Sequence, residues 1–195
     1  MKIFLLSTIT ILLSLNAESM TPQELRVGDI LLQPLNCWVC SLIEAETESE
    51  YSHVGIVVSF NHSQEAMIAE SYSLKVKIKT FKEFSRKTEK GKFLEVLRPS
   101  SVSPKLYENY LEFFDGKPFD SKFLWEDKAI YCSELVQKLL LMSNMNVQSP
   151  EPMTYNKYRK YWKTYFNGDI PDGELGVNPA SFKNSGLFQS LGFLE

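Results

Sequence analysis

Cys132 is the residue whose setting most invites chemistry. It stands in Ile130-Tyr131-Cys132-Ser133-Glu134-Leu135-Val136, where a helix begins. A helix N-terminus offers free N–H groups and a partial positive charge. Both favour thiolate over thiol, so this position lowers a cysteine pKa. The same N–H groups can receive an oxyanion when a carbonyl is attacked. The competing reading is a small buried hydrophobe, the commoner fate of a free cysteine. A thiolate nucleophile needs a base, and the chain has only two histidines. His62 lies in a polar turn. His53 opens the run Ser52-His53-Val54-Gly55-Ile56-Val57, where backbone pairing would hold it at a strand end. The alternative for His53 is a hydrogen-bonded structural histidine. Gly55, lacking a side chain, would let another backbone or a substrate come close. An imidazole base also needs an orienting group. Glu70 follows Ala66 to Ala69, a strand expected to pair with Val54 to Phe60 as a hairpin, which would bring Glu70 beside His53.

Two more cysteines form Cys37-Trp38-Val39-Cys40. A redox role would need a thioredoxin-like βαβ context, which the flanking pattern lacks. A zinc site would need a second pair of ligands, so no metal is expected. A local disulfide and two separate helix cysteines both remain open. An odd count of three leaves at least one thiol free if the other two pair.

These side chains need elements to hold them. Ile30 to Gln33 reads as a short strand after the Gly28-Asp29 turn, and Pro34 ends it. Asn36 is a candidate cap for a helix over Cys37 to Glu46, and the acidic stretch Glu44 to Glu50 reads as solvated surface. Val54 to Phe60 is the strongest strand signal, a β-branched apolar run. Shorter strands follow at Ala66 to Ala69 and Val76 to Ile78. Thr80-Phe81-Lys82-Glu83 matches a capping box and opens a short helix. Phe93 to Leu97 reads as another strand. Ser103-Pro104 starts a helix with Tyr107, Tyr110, Leu111 and Phe114 at helical spacing. Ser133 to Met142 is a second helix, with Leu135, Val136, Leu139 and Leu140 inward. The Tyr/Lys/Arg-rich stretch from Tyr155 to Phe166 reads chiefly as rings packing on a core, with a membrane- or ligand-facing surface as the alternative. Asn178-Pro179-Ala180 begins a last short helix, and Leu187 to Phe193 ends the chain. Strands first and helices later suggest an α+β fold with an antiparallel sheet packed against helices.

The bulk composition narrows the class. The chain has 195 residues, 44% hydrophobic and 23% charged, the make-up of one globular domain. A net charge of -3 leaves no basic surplus for phosphates, so no nucleic-acid partner is expected. Residues 1–19 are set apart from the domain at 20–195. Lys2, the apolar run Ile3 to Leu15 and the small residues near Ala17 to Ser19 have the anatomy of a secretory signal peptide. An exported location follows, in the periplasm, cell envelope or outside the cell, with possible contact to the envelope.

Taken together the motifs resemble the YiiX/YebB-like branch of the circularly permuted NlpC/P60, or papain-like, hydrolases. Gly28-Asp29-Ile30-Leu31-Leu32 resembles its opening strand. Ser52-His53-Val54-Gly55-Ile56-Val57-Val58 resembles its histidine motif, and Ala69-Glu70 its acidic position. Gly116-Lys117-Pro118-Phe119-Asp120 resembles its "GKPYD" segment, with Phe119 in place of Tyr. Tyr131-Cys132-Ser133-Glu134-Leu135-Val136 resembles its nucleophile motif. Asn178-Pro179-Ala180-Ser181-Phe182 resembles a late "TP-D" element, from which Asn178 and Ala180 depart. The resemblance spans nearly the whole chain after the leader. It implies a permuted papain-like fold, a Cys132, His53 and Glu70 triad, and no cofactor. Permutation accounts for His53 preceding Cys132, because chemistry depends on placement in space and not on order. It further implies Trp38 and Tyr131 as substrate contacts. The substrate would be a peptide, cell-wall peptide or acylated amine cleaved at its amide. A thiol acyltransferase or lipid deacylase on the same fold is a second expectation. A non-catalytic binding or thiol-disulfide protein, with Cys132 buried and inert, is a third.

Overall fold

A computed structural model describes residues 19–194. The expected leader, residues 1–19, lies outside them except for Ser19. Ser19 bridges Phe193, and the Met20 N–H donates to the Phe193 carbonyl at 2.9 Å.

The scaffold is an antiparallel sheet of six strands. Its members are β1 (Ile30–Gln33), β2 (His53–Phe60), β3 (Ala66–Tyr72), β4 (Lys75–Thr80), β5 (Leu94–Pro99) and β8 (Phe188–Leu194). They lie in the order β4-β3-β2-β1-β5-β8. The hairpin of β2 and β3 forms as the sequence suggests, with Ile56 opposite Ala69 and Phe60 opposite Ala66. Asn61 shapes its turn, its Oδ1 accepting from the N–H groups of Ser63 and Glu65 at 2.9 and 3.0 Å. The expected strands at Ile30, Val54, Ala66, Val76 and Phe93 all form, most of them longer than the apolar runs that announced them. β8 is a strand the sequence reading left as a tail. Its Ser190 and Gly192 dilute the alternation that would have marked it, and the ladder to β5 is bulged.

Alternation divides the sheet into two buried faces. Ile30, Leu32, Val54, Ile56 and Val58 pack under α3 (Leu106–Phe113), α4 (Cys132–Met142) and Phe182 of α6 (Pro179–Asn184). Leu31, Val57, Ile68 and Val96 pack under Phe81 and Phe84 of α2 (Phe81–Ser85). In α4 the inward residues are the expected Leu135, Val136, Leu139 and Leu140, all fully buried. Each such leucine stabilises the packing by about 1.5–3 kcal/mol. The helix ends on Asn144, which adopts φ 54. The Met145 N–H reaches the Leu140 carbonyl and the Asn144 N–H reaches that of Leu141, both at 3.0 Å. On α3 the expected face is only half right. Tyr110 and Phe114 are buried with Leu106, whereas Tyr107 and Leu111 are exposed.

A separate small core lies outside the sheet. Leu42 of α1 (Trp38–Thr47) packs with Tyr155 and with Trp162 and Phe166 of the segment around α5 (Arg159–Tyr165). The two-residue strands β6 (Glu151–Pro152) and β7 (Leu175–Gly176) pair beside it. The cap of α1 is Cys37 and not Asn36: the Cys37 sulfur accepts from the Cys40 N–H at 3.1 Å. Glu46 departs from its expected role as solvated surface. Its carboxylate accepts from the Thr154 hydroxyl and from the N–H groups of Asn156 and Lys157, tying α1 to the segment before α5.

Candidate active site

α4 begins where several bonds fix its first turn. Ser71 of β3 donates to the Ile130 carbonyl at 2.5 Å, and the Ile130 N–H donates to Pro118 at 2.9 Å. Ser133 donates to the Val177 carbonyl at 2.8 Å. Glu134, the third helical residue, accepts the N–H of Tyr131 at 3.3 Å, the reciprocal half of a capping box. Cys132 is therefore the first residue of a helix anchored to the sheet, and as a residue it is half-buried.

His53 opens β2 and is buried. Its Nε2 meets Glu70 Oε2 at 2.9 Å. Cys132 stands beside the ring, and each of the two groups shifts the protonation of the other. The N–H groups of Val54 and Ser133 also face the sulfur. Phe84 stacks on the His53 ring with centroids 5.7 Å apart, and Tyr72 meets it edge-on at 5.4 Å. Cys132, His53 and Glu70, expected together from the sequence, thus lie side by side, with His53 hydrogen-bonded to Glu70 and Cys132 next to the ring.

The row shifts its own protonation. Burial pushes the Cys132 thiol up, but the His53 bond and charge and the Val54 and Ser133 N–H groups bring it below the ordinary thiol value. Burial pushes His53 down, and Cys132 and Glu70 raise it above the ordinary imidazole value. Burial raises Glu70, yet His53 and Lys87 hold its carboxyl at about 2. These directions favour a thiolate–imidazolium pair over the neutral pair.

Gly55 serves a different neighbour from the one expected. Neither backbone nor an open substrate path lies over it. A Cβ there would stand 2.7 Å from Ile68 Cγ2 and 2.8 Å from Phe84 Cε2. The glycine lets Phe84 close onto the sheet and so stack on His53. Gly55→Ala is expected to lower stability by about 1–3 kcal/mol through this overpacking. A thermal melt checks it, and an unchanged or higher Tm would refute the account.

A cleft of about 380 Å³ opens at Cys132, between the sheet body and the aromatic lobe of α1 and α5. Tyr131, Ser133 and Val177 form one wall, while Tyr155, Trp162 and Met153 form the other. His53 and Glu70 lie behind the thiol and do not line it. Tyr131 reaches the cleft as expected, with its hydroxyl accepting from the Val177 N–H at 3.1 Å. Trp38 does not line it. It is 51% exposed on the first residue of α1, its ring against Tyr161 and Tyr165. Cys37 and Cys40 are joined by a disulfide, leaving Cys132 as the free cysteine. Lys87, which bonds Glu70, escaped the sequence reading because nothing local to it marks a partner 17 residues away.

Comparison with known proteins gives a consistent picture. A family model described as "Permuted papain-like amidase enzyme, YaeF/YiiX, C92 family" matches residues 24–192. "Uncharacterized protein YiiX" of Escherichia coli (strain K12) is 29% identical over 134 residues, 67% of this chain. That match covers 63% of the relative, so the chain spans less than two thirds of its length. The crystal structure of metalloprotein yiiX from Escherichia coli O157:H7 superposes with a TM-score of 0.74, covering 85% of this chain and 95% of that one. At 24% identity this is a likeness of fold. Among the described residues of this chain, no group of three or more His, Cys, Asp or Glu side chains is arranged to hold a metal ion. The Nε2 of His53 is taken by Glu70 at 2.9 Å.

Proposed function

The chain belongs to the permuted papain-like amidase family of the YaeF/YiiX type, and on that premise we propose that it cleaves an amide through Cys132, His53 and Glu70 by way of an acyl-enzyme. The observation that carries the proposal is the Glu70–His53 hydrogen bond beside a thiol on the first residue of α4, which opens on a cleft. The Cys132 sulfur bonds to the carbonyl carbon while first-turn N–H groups of α4 receive the oxyanion. The C–N bond then breaks, and the proton on His53 goes to the leaving amine. A water adds to the thioester, its proton passing to His53, and the C–S bond breaks to restore the thiolate. Glu70 keeps the ring oriented and supports its positive charge.

The substrate class is a peptide, a cell-wall peptide or an acylated amine. The aromatic wall of Tyr155, Trp162 and Phe123 favours a second reading, deacylation of a lipid or acyl transfer, in which an apolar chain lies along it. Export belongs to the same proposal and is supported by Lys2 and the apolar run Ile3 to Leu15. Mature protein found in the cytosol with residues 1–19 retained would defeat it.

The experiment is a panel of peptides, N-acyl amines and acyl esters offered to the protein and to Cys132→Ala, with intact-mass detection of an acyl adduct. Hydrolysis is expected to fall by about 10⁴-fold or more in the variant, with the adduct lost. Undiminished hydrolysis by Cys132→Ala would overturn the proposal.

A further inference from the structure

We propose that Lys87 is a positioning residue of this site: its ammonium shares the carboxylate oxygen Glu70 Oε2 with the His53 imidazole and thereby sets how firmly that ring holds its proton. The inference rests on the Cys132, His53 and Glu70 reading above.

Glu70 is 0% exposed, and its other oxygen, Oε1, has no hydrogen-bond partner among the described residues. All of its recorded side-chain bonding falls on Oε2, from His53 Nε2 at 2.9 Å and from Lys87 Nζ. Lys87 adds a second positive charge to that of His53 beside Glu70, although burial lowers the pKa of its ammonium and Glu70 offsets only part of that. Because the two cations share one oxygen, Lys87 also blunts the pull of Glu70 on the ring.

Lys87 is not a surface side chain that happens to reach inward. It is 24% exposed, with Nζ 4.0 Å from the Tyr72 ring centroid and 5.3 Å from that of Phe84. These are the two rings that flank His53. Its backbone is fixed as well. The Lys87 N–H donates to Phe84 at 3.2 Å and the Glu89 N–H to Pro34 at 2.9 Å. Buried Gln33 of β1 donates to both Phe84 O and Thr88 Oγ1 at 2.9 Å, clamping the turn from either side. The other charged groups near are few. β2 gives His53 and α4 gives Cys132. β4 gives Lys77, opposite Glu70 in the ladder, and Lys79, which is held by Glu83 at 3.2 Å.

The sign of the effect follows from charge. With Lys87 present, the row of ammonium, carboxylate, imidazolium and thiolate is neutral overall. Lys87→Met makes it carry one negative charge. His53 then holds its proton to higher pH, and the Cys132 thiolate, with less positive charge near it, forms at higher pH. Limiting iodoacetamide, with the Cys132 adduct quantified across pH, reads both inflections without any substrate. Both are expected to move up by about half to one pH unit in Lys87→Met. Lys87→Arg should restore them. Lys87→Gln, which keeps a donor without its charge, should shift them in the same direction and serves if Lys87→Met does not fold. A purely structural role would lower the melting point and leave the inflections in place. If the unmodified protein shows low-pH, His53-dependent alkylation and the Lys87 variants leave both inflections unmoved, this proposal fails while the catalytic reading stands. If that alkylation is absent from the unmodified protein, the catalytic reading fails and takes this one with it.

Discussion

Replacing His53 with alanine is expected to cut amide hydrolysis by about 10³- to 10⁴-fold and to raise the pH at which Cys132 becomes nucleophilic. Opposing influences act on the thiol. Burial raises its pKa, and His53 together with the Val54 and Ser133 N–H groups outweighs that. Alanine removes the larger lowering contribution and keeps the burial. The N–H groups of Val54 and Ser133 still face the sulfur, so part of the lowering survives. The thiol therefore moves up from its depressed value. The pH profile of the unmodified enzyme should be bell-shaped for the complementary reason. Activity is lost as pH falls through the lowered Cys132 pKa, because the thiolate is protonated. It is lost again as pH rises through the raised His53 pKa, because the leaving amine no longer finds a proton. The window between them holds the ion pair, wider at both ends than free thiol and imidazole would give. Steady-state rates across pH, set beside Cys132 alkylation of His53→Ala, test this. Alkylation at unchanged low pH in the variant would mean that His53 does not activate the thiol.

How far this site could be read from the sequence depends on the range of each interaction. Local signals were clear. The β-branched run after His53 made a strand, the apolar spacing after Cys132 made a helix, and Asn61 made the turn that brings Glu70 back to His53. Those elements carry the triad, so its members were visible before their distances were. What was hidden depended on contacts made by folding. The Lys87 and Glu70 pair forms only after α2 folds back over the hairpin. Glu46 looks like one of several solvated acids until residues over 100 positions away donate to it. Tyr107 and Leu111 satisfy helical spacing as well as Leu106 does, and an eight-residue helix has too few turns to choose between adjacent stripes. Gly55 carried a correct signal of close approach, but which group approaches was a matter of tertiary packing. Trp38 was assigned to substrate by resemblance, while its position is set by rings supplied from α5.

The aromatic lobe that faces Cys132 across the cleft gives the second large expected effect. Trp162→Ala should destabilise that lobe by about 3–5 kcal/mol, the usual cost of removing a large aromatic from a packed core. The Trp162 ring is buried against Phe166 at 5.7 Å, Tyr155 at 5.0 Å and Tyr165 at 5.9 Å. Its Nε1 has no hydrogen-bond partner among the described residues, so packing alone holds it inside. The core it belongs to is small and distinct from the two cores that sandwich the sheet. Its aromatic link to the sheet body runs through Phe123, which meets Phe166 at 6.0 Å and Tyr131, the residue before α4, at 5.7 Å. The expected result is a local opening and not a uniform weakening. Hydrogen exchange should show α1 and α5 losing amide protection while β2 and α4 keep theirs. Because Trp162 and Tyr155 wall the cleft, KM should rise, yet the pH dependence of Cys132 alkylation should stay in place, since the groups that set it, His53 and the Val54 and Ser133 N–H groups, belong to β2 and α4. Equal loss of protection in β2, α4 and α5 would show the lobe and the sheet body to be one cooperative unit. The nucleophile would then depend on the aromatic core for its position, and not only the substrate for its wall.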